Sequence, residues 1–151
     1  MSETSRIDTS LVISASPSRV WKVLTDFARL DHWSSLYRGI EWPPLMEVGE
    51  QFRFQLALFQ KSAQAETAQL ERYDPPVRLV WSSQGTLALV KTDITLSQHG
   101  CDQTKLRHAI ELTSRNDAEA VATGFNKEIA ARLDHFNRAL AEEVLHRSMG
   151  N

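Results

Sequence analysis

The sequence predicts an α+β domain. A seven-stranded, curved antiparallel sheet wraps around one long C-terminal helix, and two short helices follow the first strand. Three observations predict this. A helix-start signal and apolar residues at helical spacing run from Ser16 to Trp33, with room for only one strand before them. Six segments of period-two alternation then follow at short intervals. Beyond Asn116 the helical period returns and holds almost to the end.

Arg6 to Ser14 reads as the first strand, with Ile7, Thr9, Leu11 and Ile13 on one face and Asp8 and Ser10 on the other. Ser16 suits an N-cap. Pro17 suits the first helical position, where a missing N–H does no harm. Val20, Trp21, Val23, Leu24 and Phe27 form an apolar stripe, and Asp26 suits the cap of a second turn carrying Leu30 and Trp33. The break between the two falls near Thr25.

"YRGIEW" (Tyr37 to Trp42) is a strand ended by Pro43 and Pro44. "EQFRFQLALF" sets Phe52, Phe54, Leu56 and Leu58 opposite Arg53 and Gln55. "AQAETAQLERY" (Ala63 to Tyr73) is a long strand stopped by "DPP". "VRLVWSS", "LALVKTDITL" and "TKLRHAIELT" follow, and Gly100 and Asp102 suit a hairpin loop before the last. Gaps this short favour antiparallel pairing throughout.

In the last segment Val121, Phe125, Ile129, Leu133, Phe136, Leu140 and Val144 share one face, while Lys127, Glu128, Asp134, Arg138 and Glu142 take the other. A helix from about Asp117 to His146 spans roughly 45 Å, more than the roughly 35 Å of an eleven-residue strand. It can therefore cross the whole sheet. One helix covers only a band of a concave face, so a gap opens beside it, and the short helices plug one end. Small residues at Ala63, Ala65, Ala68, Ala88 and Ala109, with an alanine-rich helix (Ala118, Ala120, Ala122, Ala130, Ala131), suggest an interior cavity.

The 151 residues fit a single domain over 1–151, with a core of about 6–146. A net charge of −2 gives no electrostatic reason to expect nucleic acid. No apolar run reaches the roughly 20 residues of a membrane span, so no stable membrane insertion is expected. The opening "MSETSRIDTS" lacks the apolar core of a signal peptide, and the expected location is cytoplasmic. Cys101 is the single cysteine, and His32, His99, His108, His135 and His146 are scattered without the spacing of a zinc site. There is no glycine-rich phosphate loop and no Gly-x-Ser-x-Gly elbow. No metal and no cofactor are expected, and a homodimer is left open.

Two stretches carry a resemblance: "ISASPSRVWKVLTDFARLDHW" (Ile13 to Trp33) and "LERYDPPVRLVW" (Leu70 to Trp81). With the long helix after "ITLSQHGCDQTKLRHAIEL", the chain from about Arg6 to Leu145 resembles the START-like (SRPBCC) superfamily of helix-grip proteins. The likeness is to its polyketide cyclase/dehydrase and lipid-transport branch, related to the birch-pollen-allergen fold. That resemblance implies a ligand cavity between sheet and helix. It does not choose among transport, cyclisation and plain binding. The segment "WSSLYRG" departs from the Asn-Pro turn frequent in the family, which implies a different loop at the cavity mouth.

His108 alternates with Leu106, Ile110 and Leu112 and should point inward. There it acts as a general acid/base near pH 7, hydrogen-bonds a bound carbonyl, or is a buried histidine satisfied by a neighbouring strand. Glu66 shares parity with Ala68 and Leu70, so it is either a buried carboxyl marking a site or, if a bulge intervenes, a surface group. His108 and Glu66 are the catalytic candidates. Trp33, Phe54, Trp81, Phe125, Ile129, Leu133 and Phe136 are the ligand-binding candidates, Trp42 could join them, and Trp21 reads as core. Asp93, Arg53 and Gln55 read as solvated.

The leading expectation is a module that holds a hydrophobic small molecule: a lipid, a polyketide or an aromatic metabolite. The alternatives are a polyketide cyclase/aromatase-type enzyme using the same cavity, and a protein-interaction domain with a filled core.

Overall fold

The computed structural model describes residues 4–41, 46–57, 64–84, 88–114 and 126–149. Strand β1 (Thr4–Ile13) leads into helix α1 (Pro17–Leu24) and a 3₁₀ helix (Phe27–His32). Strands β2 (Tyr37–Glu41), β3 (Gln51–Leu56), β4 (Gln64–Asp74), β5 (Arg78–Gln84), β6 (Ala88–Gln98) and β7 (Thr104–Ser114) follow, and then helix α2 (Asn126–Met149). The strands form one antiparallel sheet in the order β1-β7-β6-β5-β4-β3-β2. Only β1 is out of sequence order, and it lies beside β7 across ten registered pairs from Thr4↔Thr113 to Ile13↔Thr104. This is the predicted helix-grip architecture.

The local rules hold where they are strongest. Ser16 is extended and its hydroxyl accepts the Arg19 N–H at 3.4 Å, with Pro17 opening α1. Val20, Trp21, Val23 and Leu24 are buried. Trp21 packs on Tyr73 near the end of β4, with ring centroids 5.6 Å apart, so α1 closes that end of the sheet. Helix α2 packs against α1, β1 and β7, and buries Ile129, Leu133, Phe136, Leu140 and Val144. At 24 residues it spans roughly 36 Å, still the length of an eleven-residue strand. No described helix is long and apolar enough to cross a membrane.

Four expectations need correction. The second short helix is 3₁₀ and Asp26 does not cap it; the Asp26 carboxylate instead accepts from Arg147 Nη1 at 3.0 Å, a charged donor that outbids neutral backbone N–H groups. Helix α2 runs to Met149, three residues past the expected end. Asp93 is not solvated: its side chain is only 14% exposed because Arg78 grips both oxygens, at 3.0 and 2.6 Å. Finally, the strand alanines do not all line the interior. Ala68 does, but Ala65 is exposed and Ala109 lies on the outer face between inward-facing His108 and Ile110. Trp42, Leu58, Ala63, Val121 and Phe125, with Ala118, Ala120 and Ala122, lie outside the described residues.

Candidate functional site

The inner face is built by alternation. Phe52, Phe54 and Leu56 of β3 are buried while Gln51, Arg53 and Gln55 are exposed. In β4, Glu66, Ala68 and Leu70 turn inward, and the bulge between Leu70 and Arg72 comes too late to reverse Glu66. Beyond it the parity does change, and Tyr73 rather than Arg72 becomes the half-buried residue. On β5, Trp81 is 2% exposed between the inward Leu70 of β4 and Thr92 of β6.

A short turn aims the decisive side chain. The Ser34 N–H returns to the Leu30 carbonyl at 2.8 Å, and the Ser34 hydroxyl accepts the Tyr37 N–H at 3.2 Å. Asp31 accepts the N–H of Gly39 at 2.9 Å. Gly39 has φ +57, a left-handed conformation that favours glycine, and it lies inside the β2–β3 irregularity between Arg38 and Glu41. Tyr37 thus starts the edge strand pointing across the interior. Its hydroxyl lies 2.8 Å from His108 Nε2 on β7, although four strands separate β2 from β7 in the sheet.

His108 is fully buried, and its two ring nitrogens and its carbonyl all have partners. Its Nδ1 lies 3.1 Å from Asn137 Oδ1 of α2, Asn137 Nδ2 donates to Thr9 Oγ1 at 2.9 Å, and Thr9 Oγ1 donates to the His108 carbonyl at 2.8 Å. That order fixes the tautomer: Nδ1 carries the proton and Nε2 accepts from the Tyr37 O–H. Burial pushes the His108 pKa down to about 4, against the lesser pull of Asn137. Burial pushes the Tyr37 pKa up, against a hydrogen bond from Thr92. Both groups are neutral at pH 7. Phe136 packs on this pair, with its centroid 5.2 Å from Tyr37 and 5.1 Å from His108.

Glu66 is buried and accepts the Ser83 hydroxyl at 3.0 Å. The structure does not bring it to His108. The register sets His108 level with Ile94, Leu79 and Tyr73, and Glu66 lies far up β4 from Tyr73. Phe54 and Trp81 each pack edge-on to Tyr37, at 5.9 and 5.4 Å, while Trp33 packs on Phe136 at 5.1 Å. Ile129 and Leu133 face the core from α2. A cleft of about 330 Å³ opens where α2 meets the sheet edge, between Ser35, Leu36 and Ala57 on one side and Glu128, Ala131, Arg132 and His135 on the other. Arg132 crosses it, donating to the Ala57 carbonyl at 2.9 Å and to Glu128 at 3.0 Å.

A family model described as polyketide cyclase/dehydrase and lipid transport matches residues 4–141. The chain belongs to that family. No curated protein matches it in sequence. Among solved structures it is similar to the Zhui aromatase/cyclase of a Streptomyces species, at 12% identity and TM-score 0.79, covering 97% of this chain and 96% of that one. A START superfamily protein from Mycobacterium smegmatis gives 14% identity and TM-score 0.71, covering 93% and 97%. Norcoclaurine synthase from Thalictrum flavum, solved with dopamine and hydroxybenzaldehyde, gives 14% and 0.73, covering 96% and 88%. At such identities these likenesses speak for the fold alone, and the START-like reading of the fold stands.

Sequence reasoning missed Tyr37 and Asn137. Asn137 was within reach, since it falls four residues after Leu133 and three before Leu140, on the buried face of α2. Nothing local marks Tyr37, because its partner is set by the curl of the sheet.

Proposed function

We propose that this member of the family binds a hydrophobic small molecule between the curved sheet and α2. The cleft beside Arg132 carries this reading. Its floor includes Leu36 and Ala57, both 2% exposed, so it cuts down to core residues beside the aromatic inner face. Burying about 200 Å² of apolar ligand surface there would contribute about 5 kcal/mol before the costs of association. Leu36, Ala57 and Ala131 would supply the apolar walls, while the expected Phe54, Trp81, Leu133, Ile129, Phe136 and Trp33 do not line this cleft. Native mass spectrometry of protein purified from cells tests this: co-purifying mass is expected. A bare chain mass, unshifted by a panel of lipids and aromatics, overturns it.

A cyclase-type enzyme is the second reading, and the Tyr37–His108 pair favours it. The chemistry that pair offers is narrow. A histidine held neutral to about pH 4 is a poor proton acceptor at pH 7, and a tyrosine with a raised pKa keeps its proton. Both donors are engaged, Tyr37 O–H with His108 Nε2 and His108 Nδ1–H with Asn137 Oδ1, so Tyr37 could donate to a substrate oxygen only by releasing His108. Turnover of polyketide-like substrates that survives His108→Ala, Tyr37→Phe and Glu66→Gln unchanged would remove this reading.

A further inference from the structure

The cleft beside α2 holds a charged group that the fold leaves partly unmatched. Arg132 is the cation among the lining residues, and its guanidinium has five N–H groups to place. Nη1 donates to the Ala57 carbonyl at 2.9 Å and Nη2 to Glu128 Oε1 at 3.0 Å. Nε is buried with no hydrogen-bond partner among the described residues. Folded chains leave few such groups, and an unmatched donor on a charged side chain forfeits more than a neutral one. In a planar guanidinium the Nε and Nη2 N–H groups point along one edge, the fork that a carboxylate spans with two parallel bonds. Glu128 fills only the Nη2 half of that edge.

Glu128 is a removable occupant. It lies one turn before Arg132 on α2, and its side chain is 42% exposed, so its carboxylate can turn into water and keep its hydration. Pairs of this i,i+4 kind at a surface hold weakly. Because both residues line the cleft, the edge that Glu128 vacates opens onto it. Arg132 is held from the other side: Ala57, which accepts from Nη1, is itself tied by its N–H to the Leu36 carbonyl at 2.9 Å. Leu36, Ala57 and Ala131 make the apolar part of the lining, so an anion at Arg132 has an apolar surface beside it for the rest of the molecule. At about 330 Å³ the cleft stands near the lower end of the roughly 300–1,000 Å³ of small-molecule sites, which favours a compact ligand. One cation balances one charge, whereas a phosphate group with close to two would leave an excess beside Glu128.

We propose that Arg132 anchors the ligand's head group: the cleft selects compact amphipathic carboxylates, whose oxygens take Nη2 from Glu128 and reach Nε as well. The inference rests on the ligand-binding reading above and sharpens it, from any hydrophobic small molecule to an acid with an apolar body. Equilibrium dialysis at pH 7.5 with 2-naphthoate, 2-naphthamide and 2-ethylnaphthalene separates the cases. The three share one scaffold, and the amide matches the carboxylate in shape without its charge. The carboxylate is expected to bind about tenfold tighter than either neutral compound, the effect of one completed charge-assisted fork.

Arg132→Gln should bring the three ligands within about twofold of one another, and Arg132→Lys, which keeps the charge and loses the fork, should keep only part of the carboxylate's advantage. Glu128→Gln removes the competing charge and should tighten naphthoate about threefold with the ethyl compound unmoved, a gain that a merely structural ion pair would not give. A two-dimensional NMR spectrum of the intact chain needs no variant to fold: one arginine Nε–H signal should move with naphthoate and not with the hydrocarbon. Naphthoate binding no tighter than the neutral compounds, or an advantage that survives in Arg132→Gln, overturns the role of Arg132 and leaves the binding reading intact. No binding of any of the three overturns both.

Discussion

Arg107 and His108 are neighbours on β7, yet they belong to two polar networks built on opposite principles. Outward, Arg107 reaches Asp8 at 3.0 Å, Asp8 also holds Arg6 at 2.9 Å, and Arg6 lies 3.7 Å from Glu111. Every group there carries a full charge and most are about 40% exposed. Inward, Tyr37, His108, Asn137 and Thr9 are all neutral, all buried, and joined in single file. The sheet thus keeps these ions where water lowers their cost and gives the network around His108 only groups that can be matched without charge. Redundancy differs as well. Asp8 has two cations, so losing one leaves the other, whereas each ring nitrogen of His108 has one designated partner, whose loss strands a buried group.

The comparison can be broken in four places, from the largest effect to the smallest. Acid should strike the inner network first. His108 resists protonation down to about pH 4, but an ordinary histidine takes up its proton near 6.5. The unfolded chain therefore gains a proton that the fold refuses. Stability is full above pH 6.5 and falls as the pH drops toward 4, by about 3 kcal/mol in all. Urea midpoints measured at pH 7 and 4.5 should show the fall in the wild type and a shallower one in His108→Gln; equal slopes would break the assignment.

Next is Tyr37→Phe, which strands His108 Nε2 and should cost about 2 kcal/mol by urea denaturation at pH 7. A loss below about 0.5 kcal/mol would show that water or another donor replaces the hydroxyl. Asp93→Asn on the outer face should cost about 1 kcal/mol or less, since Arg78 retains solvent. Burial raises the Asp93 pKa, but Arg78 outweighs it and holds the carboxyl below its usual range. Its share of stability is thus present above the ordinary carboxylate pKa and is lost only below it, a lower window than that of His108. Smallest is Asp8→Asn, within about 0.5 kcal/mol and vanishing at high salt because the groups are exposed; a salt-independent effect would erase the distinction between the faces.

Much of this was legible in the sequence where the controlling physics is local. Strand parity put Thr9, Phe54 and His108 inward because successive side chains must alternate. Ser16 and Pro17 marked the start of α1 because each fills a need of that one turn. The alanine pattern misled at Ala109, since small size says nothing about which face a residue takes. Asp26 misled because its better partner, Arg147, arrives from 121 residues away. Tyr37 was silent for the same reason on a larger scale. Its role depends on how far the sheet curls, a property of all seven strands together, and no window of sequence contains it. The family resemblance supplied the fold and stopped short of the polar pattern inside.

By its backbone hydrogen bonds the sheet is an open strip with β1 at one border and β2 at the other. The 2.8 Å contact from Tyr37 to His108 turns that strip into a hoop fastened by a side-chain clasp. A barrel closed by backbone ladders has a girth fixed by its strands, whereas a hoop closed by one hydroxyl can be loosened by a proton, a mutation or a competing oxygen atom. The hydrogen bond from Tyr37 to His108 is one side-chain tie across an interior that α2 and the aromatic rings also hold.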